Sequence, residues 1–229
     1  MRSQIARFAL CAILAVGLSG ISMEARSDRA DAAATDSAAL KELLEGKKGH
    51  RESWQSVPQL VIVTSVMNYE AGDLNGGFAA TDERLTDREA DSLIADLTRA
   101  LGELTNGQFK AFSAVVRESA AAGDTVKVLR RGQIVVGRFR GVQAKMGNIG
   151  YGGRMARGEK ITSAVVMMDR DADRDARQQQ LVRTHELGHA LGYNHVESRP
   201  SIMNPRANGG LTEFDRMAAR VAFSAVPVN

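Results

Sequence analysis

Three histidines and one glutamate lie within residues 185–195, at a spacing that can bind a metal ion. His185 and His189 are four residues apart, and Glu186 follows the first of them. On a helix this spacing places two side chains on the same face, with Cβ atoms roughly 5–6 Å apart, so both imidazoles can reach one ion. Glu186 then borders the same ion. These residue types predict a zinc site beside a carboxylate that can take a proton from water.

A third imidazole follows a residue that can end the helix. Gly192 can adopt the left-handed conformation that terminates a helix and turns the chain back, which would bring His195 to the same ion. Three neutral imidazoles leave the fourth tetrahedral position of zinc open to water, as in catalytic sites. His50, the remaining histidine, lies in a polar stretch without other ligand types, so a solvated side chain is favoured there. We therefore predict one catalytic zinc ion, with His185, His189 and His195 as its ligands.

The whole pattern, HExxHxxGxxH followed by a methionine turn, resembles the metzincin clan of zinc peptidases, and its short spacing is similar to that of the matrixins. Met203 comes eight residues after His195, within a segment, residues 201–205, that looks like the family's Met-turn. The resemblance implies that Met203 lies beneath the zinc and that Glu186 is the general base. It also implies an α+β, metzincin-like zincin fold. Such a fold has a twisted mixed β-sheet with two helices above the cleft, and a short C-terminal subdomain with the Met-turn and one helix.

The function that this resemblance implies is a zinc endopeptidase acting on a peptide or protein substrate, and the N-terminal pattern described below predicts that it is secreted. Zinc would lower the pKa of bound water toward about 7, and Glu186 would accept the water proton and later protonate the leaving amine. Pro205 stands where astacin-like and serralysin-like members carry a tyrosine ligand, so zinc is expected to stabilise most of the oxyanion charge. An extended peptide is expected to pair with an exposed strand edge, for which residues 161–168 are the candidate.

Two other functions stay open from the sequence. One is a secreted zinc-binding interaction module without turnover, against which Glu186 argues, because a site that only binds metal does not need that carboxylate. The other is a zinc hydrolase of a non-peptide amide or ester, against which a peptide-length cleft with an open strand edge would argue. The sequence makes no prediction of oligomeric state.

The N-terminus has the features of a secretory signal peptide. Arg2 and Arg7 precede an apolar run at residues 8–18, and the small residues after it predict cleavage between residues 19 and 25. The run is shorter than the about 20 residues that a membrane span needs, so an uncleaved anchor is the minor alternative. Cys11, the only cysteine, lies in this segment, and the mature chain is expected to lack disulfides. The expected location is secreted or periplasmic, with no membrane span in the mature chain.

Two further segments follow the predicted signal peptide, residues 1–25. Residues 26–56 are rich in Ala, Asp, Glu and Lys and are predicted to be a polar linker or a short pro-segment, with at most one weak amphipathic helix. Residues 57–229 are predicted to be a metzincin-like catalytic domain.

The formal charge of +3 becomes +2 once the two arginines and one glutamate of the signal are removed. Basic residues are scattered without interleaved aromatics, so nucleic-acid binding has no support.

Hydrophobic periodicity predicts the elements that must position the site. A capping box at Thr86 and Glu89 opens a helix that runs to about Asn106, and a second, at Thr212 and Asp215, opens the last helix. The glycine-rich segment 147–158 is predicted to be a flexible loop at the rim of the cleft. Strands are predicted at residues 60–66, 109–116, 125–129, 133–139 and 161–168.

Alternating aspartates precede the metal helix, and the resemblance to the matrixins, related members of which bind calcium, makes calcium a second candidate metal. They do not fit the calcium-binding loop of an EF-hand, because Arg174 stands where glycine is needed and Gln180 where glutamate is needed. A solvated loop that places negative charge at a helix N-terminus is therefore favoured over a calcium site. The four residues concerned are Asp169, Asp171, Asp173 and Asp175.

Overall fold

The computed structural model describes residues 35–172, 175–206 and 209–224. Residues from Ala39 onward form one compact unit, whereas the preceding unit, Met1–Ala38, is described only at residues 35–38, which are helical. The predicted signal peptide lies outside these ranges. None of the helices within them is both long and apolar enough to cross a bilayer.

A mixed sheet forms the centre of the fold, with seven strands among the described residues. Its order is β4-β2-β1-β5-β7-β6, and β3 also pairs with β1. The pairs β1–β5, β5–β7 and β1–β3 are parallel, whereas β2 and β6 run antiparallel to β1 and β7 respectively. Strand β6 therefore forms one edge of the sheet. The strands are β1 Gln59–Asp73, β2 Gly77–Arg84, β3 Val115–Glu118, β4 Thr125–Val126, β5 Gln133–Arg140, β6 Gly150–Arg157 and β7 Lys160–Asp169.

Helices cover one face of this sheet. Alternate residues of a strand point to opposite faces, so Leu60 and Ile62 join the core beneath the helices while Val61 and Val63 join a second, smaller core on the other face. The first core contains the apolar sides of α1, α2, α4 and α5. In the described part of the chain the α-helices are α1 at residues 35–45, α2 Asp87–Leu104, α3 Val142–Met146, α4 Ala176–Leu191 and α5 Glu213–Phe223.

The fold class predicted from the sequence is confirmed, and so are both capping boxes. Thr86 accepts from the Glu89 amide while the Glu89 side chain accepts from the Thr86 amide, and Thr212 and Asp215 do the same at α5. The prediction of a strand at 109–116 is wrong except at its end, because Phe109 turns into the helical core and packs against Phe223. The hairpin strand β2 was not predicted.

The glycine-rich segment is a strand, so the loop predicted at 147–158 is wrong for most of its length. Strand β6 packs directly on α4, and a Cβ at Gly152 would overlap the carbonyl of Glu186 and the Cβ of His189. Glycine is needed for this close approach of two backbones. Because β6 covers one side of β7 and β5 the other, residues 161–168 are not a free edge, and the prediction that a peptide pairs there is wrong.

Residues 39–56, which belong to the predicted linker or pro-segment, contain buried positions. Ala39 and Leu43 are each 1% exposed and Trp54 is 3% exposed, all within the main core. The Trp54 indole donates to the carbonyl of Ala190 at 2.9 Å, near the end of α4. Ser53 pairs with the start of β7. These residues thus pack against the elements that carry the predicted zinc ligands.

Candidate metal centre

Helix α4 carries the first two predicted ligands and ends where the sequence indicates. Asp175 caps its N-terminus by accepting from the Gln178 amide at 2.8 Å. Gly192 follows the last helical residue with φ 115°, in the left-handed region, and the Tyr193 amide donates to the Gly188 carbonyl at 3.0 Å. The chain then reverses toward His195. A side chain at Gly192 would also overlap the Glu52 carbonyl, so both conformation and space require glycine.

The structure brings the three predicted ligands together. The Nε2 atoms of His185 and His189 are 3.2 Å apart, those of His185 and His195 3.2 Å, and those of His189 and His195 3.1 Å. Three nitrogens bound tetrahedrally to zinc at about 2.0–2.1 Å lie about 3.3–3.4 Å from one another. The observed triangle is within a few tenths of an ångström of that size, so the triad is positioned to bind one metal ion.

Hydrogen bonds on the far side of two rings fix which nitrogen faces the metal. His185 Nδ1 lies 2.6 Å from the Ile202 carbonyl, and His189 Nδ1 lies 3.0 Å from the Tyr193 carbonyl. A carbonyl can only accept, so each Nδ1 carries the proton and each Nε2 presents a lone pair. Two lone pairs facing each other at 3.2 Å repel unless a cation lies between them. The donor set therefore fits a divalent metal.

Burial favours the neutral imidazoles that a metal requires. Loss of solvent is the main cause that lowers the pKa of His185, His189 and His195 below the ordinary 6.5, and all causes together lower the pKa of His189 to about 3. Neighbouring imidazoles lower the pKa of His185 and His189 further, because two positive charges would repel. Protons thus compete only weakly for these nitrogens at neutral pH.

Glu186 lies in the same cleft as the triad and is 8% exposed. Burial raises the pKa of its carboxyl to about 8, although a backbone hydrogen bond from Gly152 acts in the opposite direction. A nearby cation would favour the ionised form and lower this pKa. Without a cation nearby, this carboxyl would therefore titrate near neutral pH.

An open cleft of about 870 Å³ lies over the triad. Strand β6 forms one wall through Gly150, Tyr151 and Gly152, and Asn204 and Pro205 of the predicted Met-turn contribute to the lining. Five apolar side chains line it as well, namely Met146, Ile149, Leu181, Val182 and Ile202. A pocket of this size and lining can hold several residues of an extended chain with an apolar side chain inserted.

Met203 lies under α4 and is 1% exposed. A Cβ at Gly188, between the two helical ligands, would overlap the Met203 sulfur, so the Met side chain fills the space that glycine leaves. The buried carboxylate of Asp215 fixes the turn, because it accepts from the Ser201 hydroxyl and from the Ile202 amide at 3.0 Å. Sequence reasoning assigned Asp215 only a capping role; its second role joins residues 14 apart and has no local signature.

Other polar residues near the site have protein partners. The Tyr193 hydroxyl donates to the Leu104 carbonyl at 2.6 Å in the core, so it faces away from the triad. Asp169 accepts from the backbone amides of Gln143, Asp171 and Ala172. Asp173, one of the calcium candidates, lies outside the described residues.

The fold and the histidine triad are consistent with the metzincin class that the sequence resembles. A comparison with protein families gives the particular family: the sequence model of the matrixins, which are zinc metallopeptidases, matches residues 53–216. That range covers most of the chain, and the protein belongs to the matrixin family. No curated protein matches the chain in a sequence search.

Proposed function

We propose that this matrixin is an endopeptidase in which His185, His189 and His195 hold zinc and Glu186 acts as general base. Bound zinc would supply Lewis acidity and a water whose pKa lies near 7. Glu186 would take the proton of the attacking water and return it to the leaving amine. The observation that carries this proposal is the convergence of three Nε2 atoms at 3.1–3.2 Å in the cleft that also contains the buried Glu186 carboxyl.

The structural residues follow from the same geometry. Gly192 would turn the chain so that His195 reaches the ion, and its left-handed φ of 115° supports this role. Met203 would support the floor of the site from beneath α4, where it contacts the position of Gly188. Both act through packing and backbone shape, since neither offers the metal a strong ligand.

A peptide or protein is the substrate class that the cleft supports best. Strand β6 is an edge strand beside the triad, so an extended peptide can pair with its backbone, and Gly150 and Gly152 add little bulk there. A small non-peptide ester or amide would not need such an edge. Apolar lining by Leu181, Val182 and Ile202 favours an apolar side chain next to the cut bond.

A zinc-binding protein without catalytic turnover explains the burial of Glu186 less well. An ionisable carboxyl that is 8% exposed has a desolvation cost that a purely structural metal site could avoid with an apolar residue.

We also propose that residues 1–25 direct export, which would place the enzyme outside the cell or in the periplasm, as the charged and apolar pattern of that segment indicates.

The test uses an unfolded protein mixture incubated with the zinc-loaded chain. Wild type is expected to cleave it, while Glu186→Ala should retain one equivalent of zinc and lose nearly all turnover. His189→Ala should lose the zinc as well. His50→Ala is the matched control, because this histidine contacts the Lys48 carbonyl and lies outside the triad, and it should leave zinc content and rate unchanged. Equal rates for wild type and Glu186→Ala would refute the proposed mechanism.

A further inference from the structure

Arg154 of β6 connects the two halves of the metal-binding motif. Its Nη1 donates to the His189 carbonyl at 3.0 Å and to the Tyr193 carbonyl at 3.3 Å, and its Nη2 donates to Asn194 Oδ1 at 3.0 Å. The first acceptor belongs to the last turn of α4, while the other two belong to the chain that leaves it toward His195. One guanidinium therefore crosslinks the turn at its entry and its exit.

The groups that Arg154 holds are directly connected to two of the proposed zinc ligands, His189 and His195. The Tyr193 carbonyl that Arg154 contacts also accepts from His189 Nδ1 at 3.0 Å, and Asn194 directly precedes His195. Asn194 is held on its other side by the Leu43 carbonyl, which accepts from the Asn194 backbone at 2.8 Å. The angle between the helical ligands and the third ligand depends on how this turn is held.

Glu52, which directly precedes the residues that the family model matches, orients the guanidinium of Arg154. Its Oε2 accepts from Arg154 Nε at 2.7 Å, and its Oε1 accepts from Lys48 Nζ at 2.6 Å. The Glu52 and Arg154 side chains are 4% and 11% exposed, so water contributes little to their orientation. The planar fork of arginine suits this task, because several N–H donors leave one rigid plane in fixed directions. The family match begins at residue 53, so Glu52 is a feature of this chain that the match does not include.

We propose that Arg154, held by Glu52, is a positioning residue of the zinc site, which sets the turn between His189 and His195; this inference rests on the proposed zinc function. Arg154 contacts neither the metal nor the substrate in this scheme. Its effect passes through the His189 and Tyr193 carbonyls and Asn194. Loss of such outer contacts typically weakens metal affinity or activity by about 10–100-fold.

The test measures zinc affinity by competition with a chelator, at a temperature where circular dichroism shows each variant folded. Removing Arg154 alone would leave the buried Glu52 carboxylate with only the exposed Lys48 ammonium as an ionic partner, so the main variant is the double substitution Arg154→Met with Glu52→Gln. We expect it to lose on the order of 10–100-fold in zinc affinity. Arg154→Lys should restore only part of the affinity, since an ammonium cannot reproduce the fork.

The matched control is Arg170→Met. Arg170 also joins two carboxylates, Glu83 at 2.8 Å and Glu89 at 2.6 Å, but it lies outside the cleft lining. Its removal should lower the unfolding temperature and leave zinc affinity unchanged. Cobalt substitution gives a second readout, because the visible spectrum of the bound ion reports ligand geometry. The spectrum should shift in the Arg154 variants and stay constant in the control.

A folded double variant with wild-type zinc affinity and an unchanged cobalt spectrum would overturn the inference. If the double variant does not fold, Asn194→Ala removes one arm of the crosslink, and unchanged zinc affinity in that variant would overturn it equally. Failure of the proposed function is distinguishable: a wild type that binds zinc through the triad but cleaves no peptide would refute the peptidase while zinc affinity still reports on Arg154.

Discussion

In the metal-free protein, Glu186 should make the free energy of unfolding fall as the pH rises. Burial raises its pKa from 4.5 to about 8, so between these values the folded state keeps a proton that the unfolded state has released. Stability decreases with pH wherever the folded state binds more protons. The stabilising contribution of the neutral carboxyl is therefore complete below pH 4.5 and is lost as the pH rises through the folded pKa.

The size of this effect follows from the two pKa values. Between pH 6 and pH 9 the linkage relation gives a loss of about 2–3 kcal/mol for a carboxyl whose pKa is 4.5 unfolded and about 8 folded. The buried imidazoles of His185, His189 and His195 have lowered pKa values, so their linkage has the opposite sign and acts mainly below pH 6.5. A comparison with a variant that lacks only the Glu186 titration cancels their contribution.

The assay is urea unfolding of the chelated wild type and of Glu186→Gln at pH 6, 7, 8 and 9. Glutamine keeps the size of the side chain and does not titrate. The difference in unfolding free energy between the two proteins should change by about 2–3 kcal/mol over this range, with the variant gaining relative to wild type. Zinc should flatten the wild-type curve, because a cation favours the carboxylate. Parallel curves for the metal-free proteins would refute the argument that burial controls Glu186.

Three further substitutions test the packing around the site. Leu43→Ala should lower the free energy of unfolding by about 2–5 kcal/mol in urea titrations, since Leu43 is 1% exposed; a change below 1 kcal/mol would favour a detachable pro-segment. Gly152→Ala should push β6 away from α4 and reduce kcat/KM at least about tenfold, whereas Gly210→Ala, with open space around its Cβ position, should not. Asp215→Asn should weaken the hold on the Met-turn and lower stability by about 1–3 kcal/mol, measured by thermal unfolding; an unchanged Tm would contradict this role.

The histidine triad was accessible to sequence reasoning because its geometry is local. Helical spacing fixes His185 and His189 relative to each other, and the conformational freedom of Gly192 explains the return to His195. Capping boxes mark the starts of α2 and α5 for the same reason, since both partners lie within one turn. Each of these predictions needed only residues that are close in the chain.

Strand β6 was missed because its composition opposes the structure that it adopts. Four of its eight residues are glycine or alanine, which have low strand propensity, and the segment therefore resembles a loop. Tertiary packing overrides this preference: the glycines let β6 approach α4 closely, and pairing with β7 along its whole length holds the strand in place. The glycines that made this segment resemble a loop are the residues that let β6 pack closely on α4 and form the cleft wall.

The contacts that hold the turn before His195 were the part of the site least accessible to sequence reasoning. Glu52 and Arg154 are 102 positions apart, and in the sequence each is an ordinary charged residue that is expected on the surface. Only the fold shows that they meet beneath the turn, where Arg154 has three carbonyl or amide acceptors within 3.3 Å. A largely buried arginine whose two terminal nitrogens donate to the backbone and a side chain of this turn constrains the turn more than a surface pair could. The segment before residue 53, whose polar composition resembles a linker, thus contacts the turn that leads to His195 through the Leu43 carbonyl and contacts Arg154 through Glu52.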